Sequence, residues 1–247
     1  MSNPVSKASV VVGASSGIAQ AVIRRLLAAS TNTSVIAISR SAVKENFLPH
    51  EGRLRWMQSD YTDASMSRVA DDLREESFLI DRIFVCNGVL HDEHFSPEKR
   101  LKDISRDTLA DVFQVNAVIP LLWLKNLLPL LKSREENVVT VFSARVGSIE
   151  DNRKGGWHAY RASKAALNMA MKSVAIEYRR IFRSTKFLAF HPGTTDTELS
   201  KPFQQQVPEG QLFHPDFVAE KLLGIIKELP DEPELNFMDW AGKPVAW

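Results

Sequence analysis

The fold is decided by the stretch ASVVVGASSGIA at residues 8–19, in which a glycine turn joins an apolar strand to a helix. Apolar residues at strand and helical spacing predict the strand over Ala8–Val12 and the helix over Gly17–Ala29. The turn holds Gly13 and Gly17, and glycine lets a ligand approach the main chain closely. Unpaired N–H groups at the helix N-terminus suit a pyrophosphate. Two glycines alone are a weak signal, but their place after a first strand favours a dinucleotide site.

Apolar runs of strand length alternate with helical patterns along the rest of the chain. The further predicted strands are Ser34–Ile38, Leu54–Met57, Asp81–Val85, Val138–Phe142, Thr185–Phe190 and an edge strand Glu234–Met238. The further predicted helices are Asp63–Glu76, Ser105–Lys132, His158–Phe182 and Pro215–Leu229. This alternation indicates parallel βαβ units with right-handed crossovers. We therefore predict an α/β fold of one domain over residues 1–247: a Rossmann-type doubly wound parallel sheet with helices on both faces. Its dinucleotide-binding half is expected at about 1–135, and its catalytic and substrate half at about 136–247.

Composition excludes several classes of protein. The 247 residues carry 31 basic and 30 acidic side chains, so a formal net charge of +1 gives no reason to propose nucleic acid or a membrane as partner. Cys86 is the only cysteine, which excludes an internal disulfide and a multi-cysteine zinc site, and no metal is predicted. No apolar run reaches the roughly 18 residues that a membrane span needs, and the N-terminus lacks a signal-peptide core. We expect a soluble, cytoplasmic protein.

A tyrosine and a lysine carry the strongest chemical signal. Tyr160 and Lys164 lie four residues apart at the start of an alanine-rich predicted helix, so their side chains share one face. A free tyrosine has a pKa of about 10. A nearby cation favours the phenolate, so we expect Lys164 to lower the Tyr160 pKa toward the working pH. In isolation, a Y-x-x-x-K spacing is usually a coincidence of two residues on one helix face.

Two further polar residues support a catalytic interpretation. Ser143 follows a predicted strand, and the carboxyl ends of parallel strands face the ligand crevice. Ser148 is the rival serine, but it lies further from the strand end, so Ser143 is preferred. Asn116 lies inside a predicted helix, where asparagine is a poor residue. Either a functional role or a side chain that is satisfied locally explains it.

The ordered set of Gly13/Gly17, Asn116, Ser143, Tyr160-x-x-x-Lys164 and Pro192-Gly193 resembles the short-chain dehydrogenase/reductase superfamily over nearly the whole chain. The stretches FSARVGSI at 142–149, YRASKAALN at 160–168 and DWAGKPVAW at 239–247 are similar to its C-factor-like branch, which includes relatives of the insect carbonyl reductase sniffer. There are departures from the family pattern. Ala19 replaces the third glycine, Val12 stands where threonine is usual, and the segment before Gly88 is one residue shorter.

The resemblance implies an oxidoreductase that uses NADP(H) and transfers a hydride between nicotinamide and a carbonyl or alcohol substrate. Tyr160 would give the proton, Lys164 would hold the nicotinamide ribose, Ser143 would bind the carbonyl, and Asn116 would hold a water. The residues that would meet the cofactor are Gly13, Ser15, Ser16, Gly17, Ile18, Ser39, Arg40, Asp60, Tyr61, Asn87, Gly88, Tyr160, Lys164, Pro192, Gly193, Thr195 and Thr197.

The end of the second predicted strand favours NADPH over NADH. An acidic residue near this point binds the ribose 2′-hydroxyl of NAD in dinucleotide folds. The sequence has Ser39-Arg40-Ser41 there and no acid. The guanidinium of Arg40 suits a 2′-phosphate, to which Ser39, Ser41 and Ser15 can add hydroxyl groups. The alternative is an arginine on a solvated loop.

Other features leave alternatives open. The loop at residues 191–213 is either a substrate lid or a disordered surface loop. Arg145 either meets an acidic substrate or pairs with Asp151 or Glu150. Four aromatic residues near loops either line a pocket or serve packing: Trp157, His158, Phe203 and Phe213.

Three classes of function fit these residues. The first is a carbonyl reductase, or the reverse alcohol dehydrogenase, acting on a small molecule. The second is a nucleotide-binding regulatory or cell–cell signalling protein of C-factor type with little turnover, and the third is an isomerase or epimerase on the same fold. A homodimer or homotetramer is expected, because helix Ser105–Lys132 is apolar nearly all round and the Tyr160 helix is rich in small residues.

Overall fold

Strands and helices alternate along the chain in the computed structural model, which describes residues 7–29, 33–43, 47, 52–76, 78–131, 136–181, 183–230 and 235–247. In these residues the strands are β1 (Lys7–Val12), β2 (Thr33–Ser39), β3 (Leu54–Gln58), β4 (Leu79–Val85), β5 (Asn137–Phe142), β6 (Thr185–His191), β7 (Thr194–Thr195), β8 (Leu212–Phe213) and β9 (Leu235–Asp239). The helices are α1 (Gly17–Ala29), α2 (Asp63–Arg74), α3 (Arg106–Phe113), α4 (Ile119–Leu127), α5 (His158–Arg179) and α6 (Pro215–Glu228).

The main sheet is parallel throughout and runs in the order β3-β2-β1-β4-β5-β6-β9. The chain builds outward from β1 in one direction as far as β3, then returns to β4 on the other side of β1. The strand order therefore reverses between β1 and β4, and such a switch point opens a crevice at the carboxyl ends of the strands. The predicted doubly wound fold is confirmed.

Two apolar layers cover the sheet because side chains alternate along each buried strand. Val11 and its neighbours on one face pack against α1 and α6. Val10 and Val12 point to the opposite face, where they join a cluster that includes Trp123 of α4 and Leu167 of α5. Helix α5 is thereby held across the sheet beside β6 and β9. This packing decides which face of α5 carries the polar residues that meet the strand ends.

The predicted helix Ser105–Lys132 is a chain of shorter pieces. Ser105 caps α3, a π-helical turn at Gln114–Val118 leads into α4, and a short 3-10 turn ends at Leu130. By length and composition, the stretch Arg106–Leu130 is apolar enough to cross a membrane. The prediction that no apolar run reaches the length of a membrane span is therefore wrong. The Trp123 side chain of this stretch is fully buried in the sheet layer, as expected for a core helix. Lys132 lies outside the described residues.

The remaining element boundaries agree with the predictions to within two or three residues. Residues 191–213 are ordered rather than a disordered loop: they contain the short pair β7 and β8 and a 3-10 helix at Lys201–Gln206. The last strand β9 lies at the sheet edge as predicted, and the chain then turns back so that Pro244 bridges to Met238. Phe182 and Glu234, the predicted ends of a helix and a strand, lie outside the described residues.

We expect Gly147→Ala to destabilise the protein. A Cβ atom at Gly147 would lie 2.8 Å from the Cβ and 2.9 Å from the backbone carbonyl carbon of Lys164, so the turn and α5 would have to separate. Overpacking of this kind costs about 1–3 kcal/mol. Gly224→Ala is the matched control, because nothing lies within 4 Å of its added Cβ and alanine favours a helix by about 1 kcal/mol. Urea unfolding followed by tryptophan fluorescence measures both, and equal stability of Gly147→Ala and the wild type would contradict the packing.

Candidate active site

A cavity of about 980 Å³ lies at the carboxyl ends of the strands. Its walls come from the glycine turn after β1, the segments that follow β4 and β5, the first turns of α5, and the ordered segment between β6 and α6. Parallel sheets place ligands in this crevice because the helix N-termini and strand ends meet there. A second cavity of about 280 Å³ lies behind it, at the start of α5.

The glycine turn brings the main chain close to the end of β4. Gly13 has a φ of 74°, and a Cβ there would lie 3.1 Å from the carbonyl carbon of Cys86. Gly17 opens α1, where an added Cβ would lie 3.2 Å from the Thr197 side chain. Glycine is therefore required by backbone conformation at the first position and by close approach at the second. Five residues of this turn and helix line the cavity: Ser15, Ser16, Gly17, Ile18 and Gln20.

Tyr160 and Lys164 lie one turn apart on α5, and both side chains are buried on the cavity wall. The Lys164 Nζ atom donates to the carbonyl oxygen of Phe142 at 2.8 Å and lies 5.8 Å from the centroid of the Tyr160 ring. The two side chains that the Y-x-x-x-K spacing predicted to share a face do so, and both meet the end of β5.

The electrostatics of this pair differ from the expectation. Burial raises the pKa of Tyr160 to about 12 and lowers the pKa of Lys164 to about 8. The predicted lowering of the Tyr160 pKa by Lys164 is therefore wrong for the protein by itself. The reason is that loss of water around both groups outweighs a cation held against the Phe142 carbonyl. As a result, the Tyr160 phenol is protonated at neutral pH.

Ser143 is held by a residue to which sequence reasoning assigned no role. Its Oγ atom donates to Oδ1 of Asn168 at 2.6 Å, and both side chains are buried. Asn168 lies four residues after Lys164, so the same i,i+4 rule that paired Tyr160 with Lys164 could have placed it on the face turned to the site. The rival Ser148 accepts a hydrogen bond from the Asp151 N–H and lines only the smaller cavity.

One of the two explanations of Asn116, local satisfaction of its side chain, is confirmed, while a functional role stays a prediction. Its side-chain oxygen accepts from the Val89 N–H at 2.7 Å, and its Nδ2 donates to the Val89 carbonyl at 2.9 Å and to Ser163 Oγ at 3.0 Å. Its side chain is thus satisfied locally, and ties the segment after β4 to α5.

Three residues that line the cavity each hold a buried polar atom with no partner among the described residues: Asn87, His191 and Thr195. Oδ1 of Asn87 and Oγ1 of Thr195 have no hydrogen bond among the described residues, although both residues line the cavity. Gly88 lies close to the lysine, since a Cβ at Gly88 would be 3.5 Å from Lys164 Nζ. Unsatisfied buried polar atoms are costly, so their presence indicates a polar ligand. The residues present fit a dinucleotide, with Pro192, Gly193 and Thr197 on the opposite wall.

Arg40 and Tyr61 lie close together, and neither residue lines the cavity. The guanidinium carbon of Arg40 lies 5.9 Å from the centroid of the Tyr61 ring, and no carboxylate pairs with Arg40 among the described residues. Tyr61 has a φ of 67°, a strained conformation for tyrosine, and its ring packs edge-on against Trp123. Burial raises the pKa of the Tyr61 phenol, while the Asn87 side chain and the Gly13 backbone oppose that rise.

Two predicted cofactor residues are occupied with other partners. Ser39 is fully buried and its Oγ accepts from the Ser41 N–H at 3.1 Å, so its predicted hydroxyl contact with a 2′-phosphate is corrected. Asp60 is exposed and accepts hydrogen bonds from the N–H and hydroxyl of Thr62, which lower the pKa of the carboxyl. Neither side chain lines the cavity.

One part of the cavity wall is apolar and aromatic. Tyr160 packs with Trp157, whose ring centroid lies 6.2 Å from that of Tyr160 and 5.1 Å from that of Phe203. Leu90 and Leu199 complete this cluster. The other two predicted aromatic residues do not join it. His158 lines the second cavity, and Phe213 packs 4.4 Å from the Trp240 ring.

Arg145 forms its shorter ion pair with Asp239, which the sequence did not predict as a partner, and a longer one with Asp151, which it did. Its guanidinium donates to the buried carboxylate of Asp239 at 2.9 Å and lies 3.5 Å from Asp151, whereas Glu150 uses its N–H to bind the Trp247 carbonyl. The C-terminal segment is thereby joined to the turn that follows Ser143. No group of three or more His, Cys, Asp or Glu residues that could hold a metal occurs in the described part of the chain.

Lys164→Met tests the lowered lysine pKa without reference to any activity. Between a pKa of about 8 in the folded protein and 10.5 in the unfolded chain, only the unfolded chain keeps this proton. The free energy of unfolding therefore rises with pH in that range because of Lys164. We expect the wild type to gain stability relative to Lys164→Met as pH is raised from about 7 to about 9.5, measured by urea unfolding.

Lys221→Met, at an exposed position on α6, controls for the loss of a lysine from a helix. A constant difference between the wild type and Lys164→Met over this pH range would show that burial does not lower the Lys164 pKa.

Comparison with known proteins agrees with this geometry. The C-signal protein of Myxococcus xanthus is 35% identical over 147 residues, which is 60% of this chain and 83% of that protein. A benzil reductase ((S)-benzoin forming) of Bacillus subtilis is 26% identical over 233 residues, covering 89% of this chain and 93% of that one. The carbonyl reductase Sniffer of D. melanogaster superposes with a TM-score of 0.84 at 19% identity, over 99% of this chain and 100% of that one.

A structure of NADPH-bound carbonyl reductase from chicken fatty liver has the same fold, with a TM-score of 0.81 at 22% identity over 98% of this chain and 100% of that one. The family model described as short chain dehydrogenase matches residues 7–208, from β1 to beyond the 3-10 helix that covers the cavity. The chain therefore belongs to the short-chain dehydrogenase/reductase family of oxidoreductases, in the branch of the C-factor-like and sniffer-like proteins.

Proposed function

We propose that the protein is an NADP(H)-dependent reductase of carbonyl compounds, which can also run as the alcohol dehydrogenase. One observation carries this proposal: Tyr160, Ser143 and Lys164 meet on a single cavity wall, with Asn116 tied to the same helix through Ser163. A protein that only bound a nucleotide would have no need of a buried phenol beside a serine. The reaction class is transfer of a hydride between nicotinamide and carbonyl or alcohol, without a metal.

The residues divide the chemistry as follows. A bound nicotinamide cofactor supplies the hydride to the carbonyl carbon. Ser143 would donate its one hydroxyl proton to the carbonyl oxygen in place of Asn168 Oδ1, and the Tyr160 phenol would give its proton to that oxygen as negative charge develops on it. The Tyr160 phenol, whose pKa burial raises to about 12, is in the protonated form that reduction uses. Asn116 would hold a water that returns a proton to Tyr160, while Lys164 and Gly88 would hold the ribose.

Contacts with the remainder of the cofactor follow from the walls of the cavity. The pyrophosphate lies on the N–H groups of residues 13–18, with Ser15 and Ser16 at the turn. Asn87, Asp60 and Tyr61 form the adenosine end. Thr195 and Thr197, after Pro192-Gly193, meet the carboxamide and phosphates, which would give the buried Thr195 Oγ1 the partner it lacks.

The aromatic wall of the cavity supports ketones that carry aromatic rings as substrates. Trp157 and Phe203 offer ring faces and edges beside Tyr160, and aromatic pairs add about 0.5–1.5 kcal/mol beyond the area they bury. The Bacillus subtilis relative is a benzil reductase, whose substrate has two phenyl rings. The ordered segment at residues 194–211 lines the same space and is proposed as its lid.

A second function is supported by the likeness to C-signal: cell–cell signalling of C-factor type with little turnover. A Tyr160 variant should lose reductase activity, whereas a signalling function with little turnover does not depend on this activity. The two functions can therefore be tested separately. We place the enzyme in the cytoplasm, with a small molecule as substrate and no nucleic acid or membrane as partner, in keeping with the net charge of +1.

Association into a homodimer or homotetramer is part of the proposal. Apolar side chains remain exposed next to α4 and on α5: Val118, Leu121, Met169 and Ile176. Small residues on the same part of α5 allow a close helix approach, and a second copy would remove these side chains from water. Light scattering at micromolar concentration measures the mass in solution, and the mass of a monomer would exclude the proposed homodimer or homotetramer.

We expect Tyr160→Phe to reduce turnover by about 10²–10⁴-fold, because the ring still packs but no proton can be delivered. The readout is loss of NADPH absorbance with benzil as substrate. The dissociation constant for NADPH should stay unchanged, which excludes misfolding. Tyr178→Phe, at the far end of the same helix, is the control and should retain full activity. Near-normal turnover of Tyr160→Phe would overturn the assignment.

We expect Arg40→Asp to abolish or reverse a preference for NADPH over NADH. A hydrogen bond to a charged group contributes about 1.5–3 kcal/mol, which corresponds to about a tenfold to hundredfold preference in the wild type. A carboxylate repels the 2′-phosphate but accepts from a free 2′-hydroxyl. Fluorescence titration with both cofactors measures this, and Arg68→Asp, exposed on α2, controls for the change in net charge. Equal dissociation constants for the two cofactors in the wild type would falsify the idea.

A further inference from the structure

Three adjacent strands end in polar side chains on the face covered by α5. Phe142 and Phe190 pair in register and join the apolar layer of α1 and α6. Because side chains alternate along a strand, the next residues, Ser143 and His191, project to the opposite face. His191 pairs in register with Asp239, the last residue of β9. Ser143, His191 and Asp239 therefore form a row across the carboxyl edge of the sheet.

His191 is a half-buried polar residue that the proposed chemistry does not use. It lines the cavity, and its Nδ1 atom is enclosed with no hydrogen-bond partner. Neither ring nitrogen has a hydrogen-bond partner in the part of the chain that the structure describes. An enclosed imidazole nitrogen without a partner costs free energy, so its presence in a residue that lines the cavity beside Ser143 points to a polar ligand.

The neighbouring charges do not satisfy the imidazole. The Oδ1 atom of Asp239 accepts the N–H groups of Ala241 and Lys243, and its Oδ2 atom accepts from Arg145. The carboxylate is thus committed to the C-terminal turn and to the arginine. Burial and the Arg145 cation lower the pKa of His191 to about 4, against the opposing effect of Asp239 and Asp151. The imidazole is neutral at pH 7 and offers one N–H donor and one acceptor.

We propose that His191 binds a second oxygen atom of the substrate, on the carbon next to the reacting carbonyl. This inference rests on the proposed carbonyl reductase function and narrows its substrates to vicinal dicarbonyls and α-hydroxy carbonyls. The geometry is that of neighbouring parallel strands, about 4.8 Å apart, with Ser143 on one and His191 on the next. One substrate oxygen lies at Ser143 and Tyr160, and the adjacent oxygen lies at His191. The imidazole N–H donates to a carbonyl, or its free nitrogen accepts from a hydroxyl.

The test uses two ketones that differ only in the second oxygen. Benzil has two adjacent carbonyls between two phenyl rings, and deoxybenzoin has a methylene in place of one carbonyl. We expect His191→Leu to lower kcat/KM for benzil by about three- to tenfold, the usual effect of one neutral hydrogen bond, and to leave deoxybenzoin within about twofold. Each variant is compared on both ketones, so the different intrinsic reactivity of the ketones cancels.

His191→Asn keeps a donor at this position and should retain most of the preference for benzil. His191→Met gives the same comparison as His191→Leu should the branched side chain impair folding, and an unchanged dissociation constant for NADPH reports an intact site. Equal losses on both ketones in the apolar variants would overturn the role of His191 while leaving the carbonyl reductase function in place. Failure of the wild type to reduce either ketone would instead remove the proposed function, and this inference with it.

Discussion

The hydrogen bond from Lys164 Nζ to the Phe142 carbonyl is the contact on which the site depends, because it joins the catalytic helix to the strand that presents Ser143. Three features of the chain make this contact reachable. The lysine stem lies against Gly147, where no side chain is tolerated, and Asn168 on the same helix face binds Ser143. Apolar packing of α5 on the sheet supplies the stability, and these polar contacts set the position of the helix along it.

Burial is what gives the site its chemical character. Removal from water raises the pKa of Tyr160 and lowers the pKa values of Lys164 and His191. All three groups are thereby driven toward their neutral forms, which is the cheaper state in an apolar cavity. Polar atoms without partners, such as Oγ1 of Thr195, occur on the same walls. The fold tolerates these unfavourable free energies where a polar ligand can offset them.

The C-terminal segment belongs to the site although it contributes no catalytic group. Asp239 binds Arg145 and two N–H groups of its own turn, and the Trp247 carbonyl accepts from Glu150. These contacts join the last strand to the turn that follows Ser143. The edge of the sheet is therefore joined to the turn beside Ser143 through this segment.

Sequence alone determined the features that are local along the chain. The glycine turn of residues 13–17, the alternation of strands with helices, and the shared face of Tyr160 and Lys164 all follow from backbone rules over a few residues. Only the tertiary structure decided which distant residues meet. The binding of Ser143 by Asn168, the choice of Asp239 as the partner of Arg145 and the direction of the Tyr160 pKa shift depend on how strands stack and how deeply side chains are buried, and no spacing in the sequence carries that information.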